Sequence, residues 1–134
     1  MGVYSQRLPP DCPPSEAAEV NATLFRACDS DPPTKEDFTS HVESQLPRKR
    51  NRADPMKCAH WGLSVWTSKE AAAHAQQLFD WLKAKYIFSG DVVPEDGNLA
   101  QTGKPEHYTF WPYSGVDLLT RFQVSLPPIT GSSR

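Results

Sequence analysis

Residues 67–86, TSKEAAAHAQQLFDWLKAKY, are the stretch whose apolar spacing most firmly commits this chain to a helix. Ala71, Ala75, Leu78 and Leu82 step by four, three and four, and Phe79 and Tyr86 widen the same stripe. Thr67 and Glu70 fit a capping box, and alanine carries the highest intrinsic helix propensity. A helix with one apolar stripe has to bury it on something. The partners on offer are short strands. CAHWGLSVW (58–66) precedes the helix. YIFSGDVV (86–93), NLAQ, HYTFWPY (107–113) and LLTRFQVSL (118–126) follow it. In the last of these Leu118, Phe122, Val124 and Leu126 alternate against Leu119, Arg121, Gln123 and Ser125, which is the period of a strand.

The first half of the chain is different. Residues 1–20 and 29–57 are polar and hold most of the 13 prolines, which lack a donor and restrict the residue before them. ATLFRA (22–27) reads as a strand, with Leu24 and Arg26 on one side and Phe25 and Ala27 on the other. Thr34 opens TKED as an N-cap with Asp37 three residues on. A shorter polar helix over about 35–45 is expected to follow, ended by Pro47. SEAAEV is expected to make a helical turn. At 134 residues the chain is about one domain. The expected division is an extended proline-rich arm (1–20), a single domain (21–126) and a tail (127–134). Helices mixed with runs of strands favour α+β. The expectation is one small α+β domain: a mostly antiparallel twisted sheet with the long helix, about 68–86, packed on it.

Charge narrows the function classes. The net charge is −2 and the pI about 6.0, where a general nucleic-acid binder has a basic excess. PRKRNR is the exception, and Arg48, Lys49, Arg50 and Arg52 form a basic loop suited to phosphate or an acidic protein surface. No apolar run approaches the ~20 residues of a membrane span. Cys12, Cys28 and Cys58 are odd in number, widely spaced and contain no CxxC pair. They read as reduced cytoplasmic thiols. No cofactor is expected. No metal is expected either, since Cys58 and His60, with His107 or Cys28 as a third ligand, make only one loose pair.

The densest chemistry lies in HYTFWPY. In a strand His107, Thr109 and Trp111 face one way, and Tyr108, Phe110 and Pro112 the other. Tyr108 and Phe110 suit the core beneath the long helix, which leaves His107, Trp111 and Tyr113 for function. In 58–66, Trp61, Leu63 and Val65 share one face, and His60, Ser64 and Trp66 the other. If the two strands are neighbours, His60, Ser64, His107 and Trp111 gather, with Arg26 as a fifth member. Aromatic walls with a few convergent polar groups are the usual composition of a ligand site.

Three function classes follow. The leading one is a small binding or regulatory protein that docks on a protein partner, with Trp111, Tyr113, His60 and Trp66 as contact residues beside the basic loop; Trp and Tyr favour interface hot spots. The second is an enzyme. LFRA, DFTS and GLSVWTSKEAAAHA together resemble the ADP-ribosyltransferase-like fold over about a third of the chain. There an early-strand arginine or histidine and a later strand-to-helix segment line a nicotinamide dinucleotide pocket. The resemblance implies that Arg26, Ser64 and His107 line such a pocket as candidate catalytic residues. The late glutamate of that family has no counterpart here. The third is nucleic-acid binding through the 48–52 loop, which the acidic balance disfavours.

Overall fold

The computed structural model describes residues 3, 4, 6, 8–40, 42, 57–103 and 107–129. The basic loop 48–52 lies outside the described residues. Among the described residues seven strands form one antiparallel sheet: β1 (Ala18–Glu19), β2 (Ala22–Cys28), β3 (Leu63–Trp66), β4 (Tyr86–Val92), β5 (Gly97–Gln101), β6 (His107–Pro112) and β7 (Gln123–Leu126). Their order is β1-β5-β6-β3-β2-β4-β7. With α1 (Lys69–Leu78), α2 (Asp80–Lys83) and α3 (Leu118–Arg121) this is a small α+β domain, as the sequence indicates.

Strand β2 is the axis of the arrangement. It pairs along its whole length with β4, from Ala22↔Val92 to Cys28↔Tyr86. Its pairing with β3 is confined to Phe25↔Trp66. Because β3 and β4 both run antiparallel to β2, they run parallel to each other. Parallel strands need a crossover connection, and α1 with α2 supplies it, crossing the β2 face that carries Phe25. The core therefore has two parts. On the helix side Phe25, Trp66 and Ile87 pack with Ala72, Ala75 and Leu82. On the other side Leu24, Cys28, Leu63, Val65, Phe88, Phe110, Leu118 and Phe122 form the larger cluster. Tyr108 and Phe110 thus lie on the face away from the long helix, not beneath it.

The long helix is shorter than its sequence pattern and rotated. It is capped by Ser68, whose side chain accepts the Ala71 N–H, and it ends at Leu78. Phe79 is extended, with φ −111° and ψ 121°, before α2 begins. The buried positions are Ala72, Ala75 and Gln76, while Leu78 and Phe79 are exposed. Gln76 explains the rotation. Its amide donates to the carbonyls of Lys85 (2.9 Å) and Pro127 (3.0 Å), and a buried amide must be satisfied.

Several local expectations shift in the same way. Of the helix expected over 35–45, the described residues show a 3-10 helix, Lys35–Phe38, with Thr39 as its C-cap; residues 41 and 43–45 lie outside the described residues. Asp37 caps its start by accepting the Thr34 N–H (2.8 Å), and the same carboxylate accepts the Asp29 N–H (2.9 Å). The strand expected over 58–66 starts only at Leu63, because Cys58–Trp61 form a 3-10 helix. LLTRFQVSL is helix and then strand: Asp117 caps α3, and Leu118 and Phe122, spaced i and i+4, enter the core together. SEAAEV ends in β1, paired with β5. Gly97 turns the chain into β5 at φ +157°, where a Cβ would run into the Trp111 carbonyl.

The arm is held to the domain. Tyr4 bridges Tyr113, and Gln6 Nε2 donates to the Trp61 carbonyl (2.6 Å). Cys12 and Cys58 are joined by a disulfide. This corrects the expectation of reduced thiols: the two cysteines are 46 residues apart, and the fold brings them together. Cys28 is free and buried, and burial pushes its thiol up to about 12. A thiol so protonated is a poor nucleophile. Iodoacetamide at pH 8 should therefore leave the native, unreduced protein unlabelled. It should label Cys28 alone after denaturation without reductant, and all three cysteines after reduction, as counted by intact mass.

Candidate functional site

The β3–β6 register determines the site. Ser64 pairs with Thr109 and Trp66 with His107, so Ser64, Trp66, His107 and Thr109 share the face under α1. Ser64 Oγ and His107 Nε2 are hydrogen-bonded. The other ring nitrogen, Nδ1, faces Thr102 Oγ1 at 3.5 Å, and Thr102 Oγ1 lies 2.7 Å from Thr109 Oγ1. The Trp66 ring meets the imidazole edge-on, with centroids 6.1 Å apart and planes at 81°.

Above this floor lies a cavity of about 750 Å³ between β3, β6, α1 and α2. Its walls are mostly apolar, from Trp66, Ala71, Ala75 and Leu82, with His74 and Glu70 at the rim. Leu78, Phe79 and Trp81 complete the mouth and are 60%, 45% and 42% exposed. The cavity follows from the helix break. With Gln76 fixing the phase of α1, the large side chains at its end stand over the opening instead of filling it. Desolvation holds the His107 imidazole below its ordinary value of 6.5, so it is neutral near pH 7. A neutral imidazole hydrogen-bonded to a hydroxyl is a base within reach of a weak acid.

Of the residues singled out in the sequence, the structure gathers Ser64, Trp66 and His107. Trp111 shares their face but is 1% exposed, with its indole N–H donated to the Cys58 carbonyl (3.2 Å). It is a core ring and not an exposed contact. Tyr113 is also buried. It donates its hydroxyl to Glu19 (2.5 Å) and accepts from Asn98 (2.8 Å). His60 sits on the 3-10 helix, off the β3 face, and its carbonyl accepts the Val42 N–H (3.1 Å). Arg26 leaves β2 on the opposite side from His107, in line with Leu24 and Cys28. Its guanidinium donates to the carbonyls of Asp37 (2.7 Å) and Ser64 (2.8 Å). Arg26 thus touches the backbone of the site residue Ser64 where the β2–β3 ladder is incomplete. Arg48, Lys49, Arg50 and Arg52 are outside the described residues. Among the described residues no group of three or more His, Cys, Asp or Glu is able to hold a metal, and Cys58 is committed to its disulfide.

Sequence reasoning missed Leu78, Phe79 and Trp81 as a lip. The signal was present in QQLFDWL, which has more large apolar residues than one stripe needs. The fold and site together define a small α+β domain with an apolar cleft over a serine–histidine pair. The chain matches no protein family, no curated protein and no solved structure.

The depressed His107 pKa ties the stability of the fold to pH. The folded state resists protonation more than the unfolded chain does. This contribution to stability is complete above pH 6.5, and it is lost as pH falls through 6.5 toward the lower folded value. Thermal melts of His107→Gln should show a shallower loss of stability than the wild type between pH 7 and 5.

Proposed function

We propose that this protein is a small enzyme that acts on a nucleotide in the α1–β6 cleft, with Ser64 and His107 as its polar working pair. The observation that carries the reading is that pair at the floor of an otherwise apolar cavity of about 750 Å³. The resemblance of LFRA, DFTS and GLSVWTSKEAAAHA to the ADP-ribosyltransferase-like fold adds support. LFRA lies in β2, and GLSVWTSKEAAAHA runs from β3, the strand beside it, into α1. DFTS supplies the Asp37 carbonyl that takes Arg26, whose other arm reaches the Ser64 carbonyl. A nucleotide brings a planar ring and phosphates. The cleft has Trp66 and Trp81 for the ring.

Titration with a nicotinamide dinucleotide, followed by tryptophan fluorescence and by release of free nicotinamide, tests the reading. Trp66→Ala should weaken binding at least tenfold. Ser64→Ala and His107→Gln should bind within a few-fold of wild type but lose turnover by about 10²–10⁴-fold, the usual contribution of a positioned acid–base group. A folded wild type that binds no nucleotide would remove the proposal.

One observation favours a second reading. Leu78, Phe79 and Trp81 form a contiguous exposed apolar lip, and exposed patches of this kind serve docking on another protein. Under this reading the protein is a binding or regulatory one. Phe79→Ser with Trp81→Ser should then abolish capture of the partner while His107→Gln leaves it intact, a pattern opposite to the enzyme's. A role for the 48–52 loop, in docking or on nucleic acid, is a separate proposal. It predicts a steep loss of affinity with salt when those four basic residues are replaced.

A further inference from the structure

We infer that Ser64 is a nucleophile activated by His107, and that the cleft presents it to esters with a small apolar acyl chain. The inference goes beyond the nucleotide reading and does not depend on it. It rests on four observations. Ser64 Oγ contacts Nε2 of the imidazole. Nδ1 of the same ring faces Thr102 Oγ1, and Thr102 in turn meets Thr109. Ser64 and His107 both open onto the cavity. The walls beside them, Trp66, Ala71, Ala75 and Leu82, are apolar.

The contacts admit either direction of donation along the chain, and an activated serine needs the direction that frees Nε2. In that direction Ser64 donates to Nε2, Nδ1–H donates to Thr102, and the Thr102 hydroxyl donates to Thr109. That tautomer leaves the Nε2 lone pair directed at the serine proton, as an activated hydroxyl requires. Burial of the ring, which lowers its pKa, keeps that lone pair free of a proton near neutrality.

The step balances without any further reactant. Ser64 Oγ bonds to the ester carbonyl carbon while its proton passes to Nε2. The tetrahedral adduct then breaks the bond to the alcohol oxygen, which leaves with that proton. The acyl group remains on Ser64 as an ester. Water attacks this ester, gives a proton to Nε2 and releases the acid, and the proton returns to Ser64 Oγ. No oxidation or reduction is involved. The apolar walls exclude water from the acyl chain.

The test uses the full chain and an alkyl fluorophosphonate, which traps an activated serine. Ser64 Oγ bonds to phosphorus, fluoride leaves, and the serine proton goes to His107. Intact mass should show one adduct, mapped by fragmentation to Ser64 and not to Ser68. It should be absent from Ser64→Ala. It should form about 100-fold more slowly in His107→Gln and His107→Asn, the lower range for a general base. Circular dichroism checks that each variant is folded. If a His107 variant does not fold, p-nitrophenyl butyrate on the wild type decides, with one equivalent of nitrophenolate expected in a burst. No adduct and no burst from the folded wild type would overturn the inference. So would an adduct on Ser64 that forms at the wild-type rate in folded His107 variants. Because neither reagent is a nucleotide, failure here leaves the nucleotide titration to be judged by itself.

Discussion

Strand β2 lies between β3 and β4, and much of the molecule follows from how those two are joined. Both run antiparallel to β2, so the connection has to pass over it, and a helix is the economical way to satisfy the backbone on that path. The Ala-rich half of TSKEAAAHAQQLFDWLKAKY suits that role, because small side chains let α1 sit close over Phe25 and Trp66. The return into β4 is tight, and Gln76 ties the helix to the chain at Lys85 and Pro127. Those two hydrogen bonds fix the rotation of α1. The rotation in turn decides which side chains fill the space above β3 and β6 and which stand at its edge.

The same joint also leaves β2 and β3 poorly zipped, with one register pair between them. A carbonyl in such a gap still needs a donor. Arg26 provides one to Ser64, and its second arm anchors the 3-10 helix that begins at Lys35. The backbone under Ser64 is therefore held from one face of the sheet while its hydroxyl meets His107 on the other. This connects the sheet, the early arginine and the site in one chain of contacts.

The sequence made legible what depends on local period. The α+β class and the strands from 22 and 86 come from patterns in adjacent residues. The Ser64–His107 pair was legible for the same reason: once two strands are recognised, alternation lists the residues that can meet across them. What was hidden depends on contacts distant in sequence. The helix phase is set by Gln76, a polar residue that an apolar stripe ignores. Leu118 and Phe122 fit both a strand's alternation and a helix's i, i+4 spacing, and only the Asp117 cap separates the two. Cys12 and Cys58 look unpaired by spacing because their partnership is made by the fold. Trp111 and Tyr113 looked available because aromatic content says nothing of cover, and the 3-10 helix at Cys58 and the strand at Glu19 provide that cover.

Cover is also what divides the aromatic residues of this chain into two kinds. Trp111 and Tyr113 have every polar atom engaged inside the protein, and their loss would be felt as unsatisfied groups and cavities. Phe79 and Trp81 make no such demand, yet they remain large and apolar beside a cleft that already has apolar walls. Leaving them in water costs free energy that the fold does not recover by itself. The floor below them has the opposite character, with Ser64 hydrogen-bonded to His107 and two threonines behind the ring. Under the proposed readings, this mouth and floor suit a ligand with a hydrophobic body and one reactive or hydrogen-bonding end. Nucleotide rings and short acyl esters both have that polarity, and a protein partner would have to insert such a group to reach Ser64.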